Sequence, residues 1–122
     1  MDVFLVDQGG RLKVLDVPVG ASDLAGPERW RTIVWGSETV RSLGARFFPV
    51  LATGDQLAVA PDQVPAFLDE CALLRANLEL VARAADSAKP LDRSVQQISA
   101  RLRNIEHACA RAEQAAGGVL IW

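Results

Sequence analysis

The sequence predicts an α+β fold: a mainly antiparallel sheet of roughly four to five strands, packed against a long antiparallel helical hairpin, with the C-terminal strand inserted in the sheet. Three observations carry this expectation. Residues 1–60 hold short β-type runs separated by glycine-containing turns, residues 61–116 hold a helical apolar period with one break, and residues 118–122 form a run too apolar to lie free in water. All of it fits a single domain spanning residues 1–122.

Val3-Phe4-Leu5-Val6 and Arg11-Leu12-Lys13-Val14-Leu15-Asp16-Val17 flank Asp7-Gln8-Gly9-Gly10, whose glycines supply positive φ, so the spacing predicts a β-hairpin that Pro18 ends. Alternation in the second run is imperfect. Leu12 and Val14 share one face while Leu15 and Val17 share the other, which predicts partial cover on both. Residues 20–35 are irregular, with Pro27-Glu28-Arg29 suited to open a short helix because proline fits the first helical position. Ser37 is placed to cap a helix over about residues 37–43, with Glu38 in its first turn and Gly44 as terminator. Residues 47–51 and 56–60 surround Thr53-Gly54-Asp55 and read as a second strand pair, with Pro49 putting the first run at an edge.

Pro61-Asp62-Gln63 opens the first arm of the helical hairpin. In that arm Val64, Phe67, Leu68, Cys71, Leu74, Leu78, Val81 and Ala85 keep one stripe over about six turns. Asp86-Ser87-Ala88-Lys89-Pro90 breaks the pattern. Asp92 is placed to cap the second arm, whose seam is Val95, Ile98, Leu102, Ile105, Cys109, Ala112 and Ala116, and Gly117-Gly118 reads as its stop. Two such arms on a short linker pack antiparallel, and each needs the other and the sheet to hide its stripe.

The chain has 122 residues, 50% of them hydrophobic and 23% charged, which matches a globular domain and excludes both a disordered chain and a membrane-embedded one. Lys and Arg total 13 against 15 Asp and Glu, and the near balance holds in both halves, so no long-range field selects a partner. Nucleic-acid binding draws its affinity from a basic excess, so no nucleic-acid partner is expected. The opening MDVFLVDQGG carries an acid at its second position and only a short apolar run, features of neither a signal peptide nor a membrane anchor. No membrane partner is expected, and the cytoplasm is the expected compartment.

No catalytic, metal-binding or cofactor-binding motif is present. Cys71 and Cys109, the two cysteines, lie inside helical patterns without CxxC spacing; an antiparallel hairpin brings them roughly level, as core thiols. His107 is the single histidine, but its neighbour Glu106 points about 100° away around a helix and makes no acid–base pair with it unaided. Arg93, Arg101 and Arg111 form a polar stripe of the kind that usually faces solvent. Gly9-Gly10 and Gly117-Gly118 lack any phosphate-loop context and read as turn and stop residues. Arg29, Trp30, Arg31, Trp35 and Glu38 are the candidate partner-binding residues, because Trp and Arg concentrate binding energy at interfaces and the segment is loop-like. The competing reading puts Trp30 and Trp35 over an open edge of the sheet as core.

The words DVFLVDQGGRL, WGSETVRSLG, FFPVLATGD, DQVPAFLDECALL and RLRNIEHACARAEQAAGGVLIW resemble small bacterial proteins of unknown function, of toxin-immunity type. The resemblance implies a cytoplasmic protein that works by binding another protein, such as a toxin whose active site it occludes. The expected function is therefore a non-catalytic protein-interaction domain, with immunity as its sharper form. Two alternatives stand beside it: a small-ligand or enzymatic pocket between sheet and helices using His107, Cys109 or Asp55, and a homodimer module, whose sign is an apolar patch on the exposed sheet face.

Overall fold

The computed structural model describes residues 1–85 and 88–122; of the expected break at residues 86–90, Asp86 and Ser87 lie outside the described residues. Four strands, β1 Asp2–Val6, β2 Leu12–Leu15, β3 Leu57–Val59 and β4 Gly118–Ile121, form one sheet in the order β2-β1-β4-β3. Every neighbouring pair is antiparallel.

The expected hairpin at the N-terminus forms, with Val3 opposite Leu15 and Val6 opposite Leu12. Its turn is built by Asp7, whose carboxylate accepts the backbone N–H groups of Gly9 at 2.9 Å and Arg11 at 2.8 Å, while Gly10 takes φ +79°. The closing strand β4 lies in the interior of the sheet. Val119 sits opposite Val3 on one side and Val59 on the other, and these three valines face the helices, buried.

The 25-residue α4 Leu91–Ala115 packs on that face against β1 and β4, α2 Val64–Ala76 and α3 Leu78–Ala85 pack on α4, and α1 Glu38–Ser42 packs on α3. Ser37 caps α1 as expected, its hydroxyl accepting the Val40 N–H at 3.2 Å. The first hairpin arm differs from the sequence expectation. It breaks at Asn77, which leaves helical geometry at φ −125° and donates its side-chain N–H to the Leu73 carbonyl at 2.8 Å. An asparagine amide competes with the main chain for that carbonyl, so two helices replace one while the apolar stripe continues across the break. The arm also opens on a 3-10 turn at Pro61–Gln63 rather than directly on an α-helix.

Residues 47–51 form no strand. Phe48–Thr53 is a 3-10 helix, and only β3 remains of the expected second strand pair. The reason is Glu70, the one buried charged residue among those described, whose carboxylate accepts the successive N–H groups of Arg46 (2.5 Å), Phe47 (3.0 Å) and Phe48 (2.8 Å). Three converging donors turn the chain into a helical start, and Pro49 in the first turn needs no donor of its own.

A second correction concerns Gly117 and Gly118. The left-handed terminator of α4 is Ala116, at φ 54°, a conformation that costs a non-glycine residue about 1 kcal/mol. The glycines answer a different demand: a Cβ on Gly117 would collide with the Phe4 carbonyl, and one on Gly118 with the Val59 carbonyl and the Phe4 ring. Helix and strand meet with no room for side chains at either position.

Two measurements check this account. Gly118→Ala is expected to lower unfolding free energy by about 2–3 kcal/mol in urea titration, as overpacking does, whereas Gly9→Ala, whose Cβ has ordinary contacts, is expected to stay within about 0.5 kcal/mol. Glu70→Ala leaves three N–H groups short of an acceptor and is expected to cost about 3 kcal/mol or more; a change below about 1 kcal/mol would show that solvent satisfies them.

Candidate functional site

The segment expected to bind a partner is folded inward. Trp30 donates its backbone N–H to Pro27 at 2.9 Å, and the chain continues into a wide π-helical turn, Arg31–Trp35, closed by the Gly36 N–H on the Arg31 carbonyl at 3.0 Å. The expected helix opening at Pro27 thus becomes a wider turn. Its geometry rotates both tryptophans into the protein, leaving Trp30 7% and Trp35 2% exposed.

Trp35 is the hub of an aromatic chain. Trp30 meets it edge to face at 5.8 Å, Phe48 stacks on it at 5.1 Å, and Phe48 continues to Phe67 at 5.0 Å. Its indole N–H donates to the Ala25 carbonyl at 2.9 Å, so the polar atom of the buried ring is satisfied. Arg31 is equally committed: its guanidinium donates to the carbonyls of Leu51 (3.1 Å) and Asp55 (2.5 Å), tying the wide turn to the 3-10 helix. Of the five candidate residues, only Arg29 and Glu38 have exposed side chains. Trp30, Trp35 and Arg31 act as framework.

The groups considered for chemistry are dispersed. Glu106 accepts a two-pronged contact from Arg75, with Nη2 at 2.6 Å and Nε at 3.1 Å, and Arg75 also donates to the Ser99 hydroxyl at 3.0 Å. That clamp joins α2 to α4, and its hydrogen bond to Glu106 raises the guanidinium pKa above its ordinary value. His107, next along the helix, is exposed. Cys71 and Cys109 are both free and fully buried. They are level across the hairpin, as expected, and the hydrogen bond between the two thiols together with burial pushes Cys71 well above the ordinary thiol range. Among the described residues no group of three or more His, Cys, Asp or Glu could hold a metal ion, and no helix is long and apolar enough to cross a membrane.

The surface that stands out is the other face of the sheet. The register puts Val6 beside Leu12 and Phe4 beside Val14 on the side away from the helices, with Leu120 between Asp2 and Ala58 farther along the same side. Val6 is 51%, Leu12 64% and Val14 53% exposed. Phe4 is buried because its ring lies over Gly118. The sequence signal for this surface was the broken alternation of the second strand, and reading it as partial cover on both faces hid an apolar face left open. Glu70 was also missed; its signal was a carboxylate lying three residues after Phe67 and four before Leu74, on the apolar stripe itself.

A cleft of about 340 Å³ opens near the end of β4, with Trp35, Leu51 and Ile121 at its base and Glu28, Arg31 and Trp122 around it. Neither His107, Cys109 nor Asp55 lines it. Comparison with protein-family models, with curated proteins and with solved structures finds no match to this chain.

The state of the thiols is directly measurable. Both thiols are fully buried, and Cys71 is also held in its protonated form by its raised pKa, so both cysteines are expected to resist a thiol-specific chromogenic disulfide reagent in the native protein and to react at once in denaturant. Fast native labelling of either one would overturn the buried pairing.

Proposed function

We propose that this chain is a non-catalytic protein-interaction domain whose partner protein covers the open face of the sheet. The observation that supports the reading is the contiguous exposure of Val6, Leu12 and Val14 across two paired strands. Isolated exposed apolar side chains are ordinary, but neighbours on one flat strand pair form a patch that water covers poorly. The contact side chains therefore differ from the tryptophans and Arg31, which the core and the framework employ. The sharper form, an immunity protein that occludes a toxin in the cytoplasm, rests on the resemblance of the sequence words and uses the same surface.

A second reading has the same observation behind it, since a second copy of the chain can cover an apolar sheet face through an isologous contact. One set of variants separates the two. Leu12→Asp and Val14→Asp place charge on exposed positions and are expected to preserve the circular dichroism spectrum. Co-expressed with the product of the adjacent gene, the unaltered chain is expected to co-purify with it, and each variant to weaken that capture by about tenfold or more. Capture that survives both substitutions moves the contact elsewhere. A dimer in light scattering that Leu12→Asp dissociates, with no capture of the neighbouring product, replaces the partner reading with the homodimer.

A further inference from the structure

The helical side of the molecule holds a concentration of positive charge that the core does not require. Arg29, Lys89 and Arg101 line one cleft of about 300 Å³, with Trp30 and Gln97 among its other walls. They come from separate parts of the chain: Arg29 precedes the wide turn, Lys89 lies just before α4, and Arg101 projects from the third turn of α4, one turn beyond Gln97. No stretch of sequence contains the cluster. Only the packing of the wide turn against α4 assembles it.

The electrostatics of the cleft are one-sided. Among the described residues no carboxylate lines it, and neither the Arg29 nor the Arg101 guanidinium makes a hydrogen bond or ion pair, the ion pairs there being Arg75 with Glu106 and Arg83 with Glu79. Lys89 donates to the Gln97 amide oxygen at 3.3 Å. Asp92, in the first turn of α4, turns its carboxylate to the backbone N–H of Arg93 at 2.9 Å. Glu28 lines the separate cleft beside Trp122. Three cations in one concavity repel one another, and in a chain of net charge −2 this is not the by-product of a general basic excess.

A multiply charged anion offsets all three cations at once. Guanidinium forks match the oxygens of a phosphate group in pairs, and an ammonium adds an undirected point charge. Trp30, mostly buried, offers an aromatic surface in the same cleft for an apolar or planar portion of a ligand. Behind it the cleft narrows to a crevice of about 10 Å³ beside Ile33 and Ile98, enough for one water molecule, so a ligand sits at the mouth. The size fits a small molecule better than a macromolecular groove.

We propose that the cleft formed by Arg29, Lys89 and Arg101 is a binding site for the phosphate groups of a small phosphorylated ligand. The site is independent of the partner surface on the sheet. Inorganic pyrophosphate is the probe, titrated into the intact chain by calorimetry at low salt and again at physiological salt. Saturable binding with a submillimolar Kd is expected, weakening as salt rises. Arg29→Gln and Arg101→Gln are each expected to weaken it about tenfold, while Arg103→Gln, on an exposed residue of the same helix that does not line the cleft, leaves it unchanged. Thermal unfolding midpoints of the three variants confirm that each is folded. Absence of saturation at millimolar pyrophosphate overturns the proposal, as does an Arg103→Gln loss equal to that of Arg101→Gln. A short single-stranded RNA that binds more tightly than pyrophosphate, and loses binding in the same two variants, reassigns the cleft to nucleic acid.

Discussion

The sheet depends on β4. It pairs with β1 on one side and β3 on the other, so it alone joins the N-terminal hairpin to the strand that leads into the helices. The strand is short, and it follows α4 with only Ala116 and Gly117 between helix and sheet. Such an abrupt return brings the main chain against the carbonyls of Phe4 and Val59, a packing only glycine permits at residues 117 and 118. With both glycines committed to close approach, Ala116 accepts the left-handed conformation that ends the helix. A small local strain is thus tolerated because a much larger steric conflict is avoided.

The irregular stretch between the two hairpins is held by polar joints rather than by regular pairing. Glu70 gathers three backbone donors at the start of the 3-10 helix, Arg31 takes two carbonyls at its far end, and Trp35 fixes the preceding loop through the Ala25 carbonyl. Each joint reaches about ten to two dozen residues along the chain, so each restrains a loop whose own hydrogen bonds are few. The aromatic chain from Trp30 to Phe67 then fills the space those joints enclose. Arg75, clamped to Glu106 and Ser99, serves the helical layer in the same way.

Function separates from framework along a physical line. Several of the residues that would usually mark an interface serve the framework instead: Trp30 and Trp35 lie in the core, and Arg31 and Arg75 are held in clamps. Plain aliphatic residues hold the open sheet face, and cations that no described carboxylate pairs gather beside α4. A surface is informative where its composition departs from what folding requires. An uncovered apolar strand pair and a cleft lined by three cations, with no carboxylate among its described residues, are two such departures, on opposite sides of the sheet.

Periodicity and capping chemistry, which act over a few residues, were legible in the sequence: the α+β class, the first hairpin with its Asp7 and Gly10 turn, the Ser37-capped helix, the level cysteines and the apolar closing run. The kink at Asn77 was not, because the stripe from Leu74 to Val81 reads continuously whether or not the backbone does. Nor was the 3-10 helix at Phe48, since its acceptor, Glu70, lies more than twenty residues away. The same limit applies to the candidate site. Trp30, Trp35 and the arginines were visible as chemical types, but burial depends on the three-dimensional surroundings of a side chain. By itself the sequence determined the first hairpin, the capped short helix and the apolar stripes of the long helices, through interactions among near neighbours; the state of residues 47–51, which side chains lie inside, which glycines are steric necessities and which charges share a cleft were decided only when distant segments packed together.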